Sequence, residues 1–427
     1  MYVSKMLKKA VAVLMMTMVT ASCLAGCQSQ GDKSGKVQLT FGIWDKNQQP
    51  TMQALCDAYT AQNPNVSIEI QLTPYKGGEY WTKLEASMTG GTAPDVFWMN
   101  GLHVESYVDG EMLLPLDEYI TSNSFDLSQF PESLVSLYNV EDKQYAVPKD
   151  FDTNAVWYNK EIFDNAGVAY PTDDWTWEDM VETAKQLTDQ SKGIYGIAAP
   201  LDFQTCYYNT IFAANGSILN ADKTATGYND SNTQKGIQCW IDLINEGISP
   251  TLAETTDTSA DAMFESGKLA MIWAGSYMTP EYVQNDVVKG KIDLVEAPTF
   301  EGNQGNVING LGYSVYANSK QKDEASKFAL WLGGEEAMKI QGESGVVISA
   351  RNDAQQYFAQ TNPDLNLKAY TNQAGIATAL PCCKVSSQLF DIEAKYLKLA
   401  FSNEMSLEDA CSKIAEESDA ALAEMNK

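Results

Sequence analysis

The sequence predicts an α/β fold that is divided into two lobes. Its 427 residues exceed the roughly 100–200 residues of one typical domain. Its apolar residues switch repeatedly between strand and helix periodicity, beginning with a strand–helix–strand unit near residue 37. Hydrophobic residues make up 44% of the chain and charged residues 20%, a composition that is typical of a folded globular protein and argues against disorder.

The first unit is the clearest of these patterns. Apolar residues alternate over residues 37–43, recur at helical spacing over residues 52–59, and alternate again over residues 66–72. A strand, a helix and a second strand in this order form a βαβ unit, which implies two parallel strands joined by a crossover.

Later segments continue the mixed pattern. Thr176 is followed three residues later by Asp179, which predicts a helix N-terminus there. Residues 271–273 and 312–316 are typical of strands, and the last predicted helix begins near residue 406. This alternation of strands and helices supports the α/β class.

The N-terminus predicts export and attachment to a lipid. Three lysines precede an apolar stretch over residues 10–21, which is too short to span a membrane as a helix. The sequence Leu-Ala-Gly-Cys that ends at Cys27 resembles a bacterial lipobox, so we expect residues 1–26 to be a signal peptide and Cys27 to carry the lipid. Residues 27–36 would then be a flexible tether that holds the protein at the outer face of the cell membrane.

The charge balance excludes several classes of function. The 56 acidic residues outnumber the 29 basic residues and give a formal charge of -27, which argues against a nucleic acid partner. Arg351 is the only arginine and His103 is the only histidine, so chemistry that needs several imidazoles is excluded. We expect no cofactor and no metal.

The cysteines beyond the lipobox predict no zinc site. Cys382 and Cys383 are adjacent, with no CxxC motif or histidine nearby. Outside the cell, disulfides such as Cys206–Cys239 can form, but the sequence leaves the pairing open. The six cysteines in question are Cys56, Cys206, Cys239, Cys382, Cys383 and Cys411.

Five groups of short segments carry a resemblance to a known family. They are residues 90–96; residues 145–150 with 154–160; residues 171–178; residues 267–271 with 275–277; and residues 297–298 with 309–312. In their order and spacing over nearly all of residues 37–350, they resemble extracellular solute-binding protein family 1, which includes maltose-binding protein. The family commonly has a tryptophan where this chain has Tyr277, and Trp273 lies four residues earlier.

The resemblance implies a fold, a function and partners. It implies a type II periplasmic-binding-protein-like fold, with two lobes, an interlobe hinge and a solute cleft between the lobes. Lobe one would comprise residues 37–150 and 297–335, and lobe two residues 151–296 and 336–427. The protein would be a monomeric lipoprotein that captures a sugar or oligosaccharide and delivers it to the permease subunits of a bacterial ABC importer.

The candidate solute contacts lie where strands end, because ligands of open α/β sheets bind at the carboxyl ends of strands. Aromatic rings would stack on sugar faces, and carboxylates would accept bonds from sugar hydroxyls. Core packing, hinge roles and surface ion pairs are the competing interpretations of these residues. The candidates are Trp44, Asp45, Tyr80, Trp98, Asn100, Asp150, Asp152, Trp273, Gly275, Ser276, Tyr277, Gly310, Tyr313 and Arg351. Asp45→Ala and Trp273→Ala should each weaken binding and leave the fold intact.

Three alternative functions stay open. A glycoside hydrolase would need two carboxylates across the scissile bond, and no local motif indicates such a pair or any other enzyme signature. A surface lipoprotein without a transport role would show no solute-dependent change in shape. A binding protein for a peptide, a polyamine or a glycerophosphodiester would keep the transport role and change the solute.

Overall fold

The computed structural model describes residues 36–75 and 78–425, so Cys27, the predicted signal peptide and nearly all of the predicted tether lie outside the described residues. The strands are β1 Val37–Ile43, β2 Val66–Leu72, β3 Val96–Asn100, β4 Asn139–Val140, β5 Lys143–Gln144, β6 Val147–Asp152, β7 Asn154–Asn159, β8 Tyr195–Ile197, β9 Leu269–Gly275, β10 Ile292–Glu296, β11 Val307–Val315, β12 Ile348–Ser349 and β13 Thr378–Ala379.

The α-helices connect these strands and cover their faces. They span Gln49–Gln62, Glu79–Thr89, Gly101–Asp109, Asp117–Ser122, Glu132–Ser136, Lys160–Ala166, Trp177–Leu187, Tyr208–Ala213, Ser231–Asn245, Leu252–Asp257, Ala260–Glu265, Thr279–Gln284, Lys322–Leu332, Glu335–Glu343, Gln355–Gln360, Lys368–Gln373, Ser386–Phe401 and Leu407–Met425. Short 3-10 helices span Leu127–Gln129, Gln190–Lys192 and Ser276–Met278, and a π-helix spans Phe203–Tyr207.

The first sheet has the strand order β12-β6-β11-β3-β1-β2, and β13 pairs with β11 beside this path. Strands β1 and β2 are parallel, with Val37 opposite Val66, so the predicted βαβ unit is confirmed. Met52, Leu55, Cys56 and Tyr59 are buried on its helix, as their spacing predicts. Strand β11 lies between β3 and β6 and is antiparallel to both.

The second sheet has the strand order β10-β7-β9-β8. Its central strands β7 and β9 are buried along their whole length, which agrees with their continuous apolar sequences. The helix Trp177–Leu187 begins at the predicted position, where Thr176 and Asp179 form a capping box. The two sheets define two lobes of a mixed α/β fold.

Within the described residues, the chain crosses between the lobes at three places. Strand β6 of the first sheet ends at Asp152 and β7 of the second sheet begins at Asn154. The chain returns between β10 and β11, and it crosses again between β12 and the helix Ser386–Phe401. Ile348 of β12 pairs with Phe151 of β6, so this strand belongs to the first sheet, although residues 336–427 were predicted to lie in lobe two.

Two ion pairs also link the lobes, one of them from Lys384 in the third crossing segment. Lys223 pairs with Glu105, and Lys384 Nζ lies 2.7 Å from an oxygen of Asp109. Both acids lie on the helix Gly101–Asp109, which packs on the first sheet. In the described part of the chain, no helix combines the length and the apolar character needed to cross a membrane.

Candidate functional site

A cavity of about 420 Å³ lies at one edge of the second sheet. Strands β8 and β9 are parallel, with Ile197 opposite Met271, so the segments that follow them meet at the same edge. These segments are the π-helix Phe203–Tyr207 and the 3-10 helix Ser276–Met278. We call this space the acidic cavity; the lining residues that matter below are Asp202, Thr205, Asp261, Trp273, Tyr277 and Lys398.

Asp202 and Asp261 give the cavity its polar walls. One oxygen of Asp202 accepts hydrogen bonds from the backbone N–H and the hydroxyl of Thr205, at 2.7 and 3.0 Å. Asp261 accepts a hydrogen bond from the Tyr282 hydroxyl at 2.5 Å. Burial raises the pKa of Asp261, and the nearby charge of Asp202 raises it further. The cavity therefore holds two carboxylates with hydrogen-bond capacity beyond these contacts.

Tyr277 presents its ring at the cavity wall. The residue is 42% exposed, yet the surrounding protein raises the pKa of its hydroxyl well above the ordinary value, and Asp202, Asp152 and Asp261 add to the effect. Because Tyr277 lines the cavity, its accessible ring belongs to a concave surface. Such a ring can stack on the apolar face of a bound molecule.

Gly275 makes room for this ring. A Cβ atom at position 275 would lie 2.4 Å from Cε1 of Tyr277, which is closer than real contacts allow. Gly275 is therefore required for the observed position of the ring rather than for contact with a solute by its own atoms.

We expect Gly275→Ala to weaken solute binding because the new methyl group displaces the Tyr277 ring. Isothermal calorimetry on Gly275→Ala, Tyr277→Ala and the double variant measures this coupling. The double variant should bind no more weakly than Tyr277→Ala. The control is Gly375→Ala, whose added methyl group meets no atom within 4 Å. Fully additive losses in the double variant would contradict the explanation.

Asp152 and Ser276 join the two lobes beside the cavity. The Ser276 hydroxyl, which follows β9, donates to Asp152 at the end of β6 over 2.5 Å. Burial raises the pKa of Asp152 to about 7, and Asp150 contributes further, whereas Ser276 and Lys149 act in the opposite direction. A carboxyl group at the hinge therefore changes its charge near neutral pH.

We expect the folded state to lose stability as the pH rises from about 4 to about 7. The pKa of Asp152 is about 7 in the folded protein against an ordinary value of 3.8, so the folded state holds this proton more tightly and is favoured at low pH. The stability that this proton contributes is lost as the pH rises through about 7. Thermal unfolding of the natural protein and of Asp152→Asn across this range isolates the effect. Identical pH profiles for the two proteins would show that Asp152 does not titrate there.

Lys149 and Asp150 lie inside lobe one rather than at a solute surface. Both side chains are buried and form an ion pair, and Lys149 also donates to Gln48 at 2.7 Å. Its ammonium lies 4.4 Å from the centre of the Trp98 ring. Asp150 also accepts a hydrogen bond from the backbone N–H of Leu311 at 3.0 Å. Asp150 is 3% exposed, so its carboxylate offers little surface to the sugar hydroxyls that the sequence analysis assigned to it.

An aromatic cluster surrounds Trp44 in lobe one. The Trp44 ring lies 4.8 Å from Tyr80 and 5.1 Å from Trp98, measured between ring centres. Trp44 is half-buried, whereas Tyr80 and Trp98 are buried. The Tyr80 hydroxyl donates to the backbone oxygen of Trp98 at 2.9 Å. Of these three predicted contacts, Trp44 alone offers appreciable surface to a solute.

Other predicted residues have structural roles that do not require a solute. Asn100 caps the helix Gly101–Asp109 through a 3.0 Å bond from Leu102, and Asp45 accepts a bond from the backbone N–H of Asn47 in its own turn.

Tyr313, Gly310 and Arg351 are likewise engaged within lobe one. Tyr313 is buried and donates to Gln341 at 3.1 Å, and the backbone oxygen of Gly310 accepts a 2.6 Å bond from Tyr138. Arg351 forms a 2.9 Å ion pair with Asp353. The structure therefore brings Gly275, Ser276, Tyr277, Trp273 and Asp152 together. Gly310 lies next to this group, opposite Phe151 on the neighbouring strand, whereas Tyr313 and Arg351 are engaged elsewhere in lobe one.

Two residues that line the cavity were missed by the sequence analysis, Asp202 and Asp261. Phe203, the first residue of the π-helix, follows Asp202, and its half-buried ring lies 4.6 Å from that of Phe390. Asp202 follows β8, and the strand-end rule would have found it had this three-residue strand been recognised. Asp261 lies on a helix that packs on β9, and no local pattern marks it.

A buried carboxylate holds the π-helix against the helix Ser386–Phe401. Glu393 accepts hydrogen bonds from the hydroxyls of Tyr207, Tyr208 and Tyr228, with a distance of 2.7 Å to Tyr208. Burial raises the pKa of Glu393, and the three hydroxyls act in the opposite direction. This network fixes the segment that carries Asp202 and Phe203.

The cysteines of the described residues are free thiols, so no disulfide of the open pairings is formed in this structure. Within residues 36–75 and 78–425, no group of three or more His, Cys, Asp or Glu side chains is arranged to hold a metal ion.

The two sheets, the three crossings and the cavity beside the hinge define a two-lobed α/β binding protein. The chain belongs to the family of bacterial extracellular solute-binding proteins, whose model matches residues 45–339. This match confirms the family resemblance drawn from the sequence segments.

Two curated relatives illustrate the sequence similarity. The arabinooligosaccharide-binding protein of Bacillus subtilis is 22% identical over 339 residues, which are 78% of this chain and 77% of the relative. The galactooligosaccharide-binding protein of the same organism is 22% identical over 353 residues, 79% of this chain and 80% of the relative.

Solved structures show the same fold. An ABC substrate-binding protein from Listeria monocytogenes in complex with cycloalternan has a TM-score of 0.83 and 23% identity, covering 91% of this chain and 99% of that chain. The GacH receptor of Streptomyces glaucescens, studied with acarbose, has a TM-score of 0.79 and 22% identity over the same shares of the two chains. The predicted two-lobed fold is therefore confirmed.

Proposed function

We propose that this protein captures a sugar or short oligosaccharide outside the cell and delivers it to the permease of an ABC importer. The observation that carries the proposal is the acidic cavity, where the exposed Tyr277 ring stands beside the carboxylates of Asp202 and Asp261. A ring for sugar C–H faces and carboxylates for hydroxyls are the two features that a sugar site needs. The oligosaccharide-binding names of the relatives support the same solute class.

The proposed contacts combine residues of both lobes. Tyr277 would stack on the solute, Asp202 and Asp261 would accept its hydroxyl bonds, and Trp44 would close over it from lobe one. Lobe one would comprise residues 37–152 and 307–360, which assigns β12 and its neighbouring helices to the first sheet. Closure of the lobes would hide the solute and create the surface that the permease recognises.

A thermal-shift screen tests the solute class. The panel contains galacto-, arabino- and malto-oligosaccharides, with a dipeptide, spermidine and glycerophosphocholine for the alternative solutes. At 100 times the dissociation constant, a bound sugar should stabilise the protein by about 2.7 kcal/mol. Stabilisation by spermidine or the dipeptide alone would replace the carbohydrate proposal, and release of shorter glycans would indicate a hydrolase.

We also propose that Cys27 carries a lipid after residues 1–26 are removed, as its lipobox-like sequence indicates. A monomer would then be tethered to the outer face of the membrane through residues 27–36. Radiolabelled palmitate should enter the full-length protein in a bacterial host and should not enter Cys27→Ser. Equal labelling of the two proteins would contradict this anchor.

A further inference from the structure

We infer that the acidic cavity accepts neutral or cationic sugars and rejects anionic ones, such as uronates and sugar phosphates. This inference rests on the proposed function, because it names the charge class of the carbohydrate that the same site binds.

The negative charge beside the exposed ring comes from Asp202 and Asp261, because Asp152 is only partly ionised at pH 7. Asp202 and Asp261 line the cavity itself, and Asp152 is bonded to Ser276, the residue before Tyr277. Asp202, Asp261 and Tyr277 line the same cavity, so a group bound against this ring lies within the field of the two carboxylates. A carboxylate or phosphate on the solute would be repelled there, and like charges in a binding site cost several kcal/mol.

The residues that usually bind anions are absent from the cavity or are engaged elsewhere. Anionic sugars are held by the bidentate guanidinium of arginine. Arg351 is the only arginine of the sequence, and it pairs with Asp353. His103, the only histidine, stacks on Trp81 at 3.9 Å, and burial lowers its pKa to about 4, so it is neutral at pH 7.

One lysine does line the cavity. Lys398 lies on the exposed face of the helix Ser386–Phe401. Its single positive charge is outnumbered by the carboxylates of Asp202 and Asp261, and a flexible ammonium lacks the planar geometry that orients a carboxylate. The balance of charge in the cavity therefore stays negative.

Sugar hydroxyls and protonated amines can both bind in the cavity because both donate hydrogen bonds to the carboxylates that line it. A uronate carboxylate can only accept, so it cannot pair with Asp202 or Asp261. The cavity therefore discriminates by the donor character of the solute as well as by its charge.

Matched disaccharides test the inference on the natural full-length protein. Calorimetry compares galactobiose, digalacturonate and digalactosamine, and the corresponding set built from glucose. Within the set that binds, we expect the uronate to bind at least about tenfold more weakly than the neutral sugar, and the amine to bind at least as well. A uronate that binds as tightly as its neutral partner, or an amine that binds more weakly, would overturn the inference and leave the carbohydrate function standing. Binding of no sugar in these sets or in the oligosaccharide panel would instead overturn the proposed function itself.

A variant tests whether the cavity carboxylates cause the discrimination. Asp261→Asn keeps an oxygen that accepts from Tyr282 and removes one charge. The preference for the neutral sugar over the uronate should shrink several-fold in this variant. Asp222→Asn, at an exposed position outside the cavity lining, removes the same charge from the whole protein and should leave the preference unchanged. An equal change in both variants would assign the effect to net charge rather than to the cavity.

Discussion

Tyr277→Ala is expected to weaken solute binding by roughly 30-fold or more, which corresponds to about 2 kcal/mol. The Tyr277 ring is the large aromatic surface that the acidic cavity presents to solvent, and loss of such an anchor removes most of the stacking contact. The melting temperature should change little, because a residue that is 42% exposed contributes little to core packing. Calorimetry with the solute found in the sugar panel gives the affinity, and Tyr277→Phe should retain most of it.

Tyr170→Ala provides the matched control for this experiment. Tyr170 is 41% exposed, and it packs on Tyr158 and Phe163 away from the cavity. Its removal should leave solute affinity unchanged. Equal affinities of the natural protein and Tyr277→Ala would remove Tyr277 from the proposed site.

Trp273→Ala is expected to destabilise the protein by about 3–5 kcal/mol. Trp273 is 4% exposed, and its ring centre lies 5.5 Å from Trp240 and 6.5 Å from Trp177. Its indole N–H points at the sulfur of Met180 over 3.4 Å. This burial argues against the expectation that Trp273→Ala keeps its fold intact, because the residue that lines the cavity also fills the core beneath it.

Urea unfolding followed by circular dichroism measures this loss. Trp273→Phe should cost much less because it keeps an aromatic ring in the same space. If Trp273→Ala unfolds within about 1 kcal/mol of the natural protein, the tryptophan cluster is not a stabilising core.

The sequence predicts the fold better than the site because the two depend on different information. The βαβ unit and the helix after Thr176 were predicted because periodicity and capping act within a few residues. The membership of β12 in the first sheet was missed, because two residues have no periodicity and their partner Phe151 lies about 200 positions earlier.

The site depends on how deeply each candidate side chain is buried, and a position at the end of a strand does not reveal this. The strand-end rule found Tyr277 and Ser276, which do lie beside the cavity. The same rule also selected Trp98 and Tyr313, whose side chains point into the lobe and are buried. Successive side chains of a strand point to opposite faces of the sheet. Where helices cover both faces, the sequence does not show which of these side chains stay accessible.

The position of β11 has a consequence for how the chain acquires its structure during synthesis. Val307–Val315 is inserted between β3 and β6, which are otherwise not neighbours. About 300 residues must therefore be synthesised before the first sheet can be completed. Until then, its earlier strands form two separate parts that lack the strand between them. Such distant pairing makes folding slow. The first sheet is therefore completed only late in synthesis.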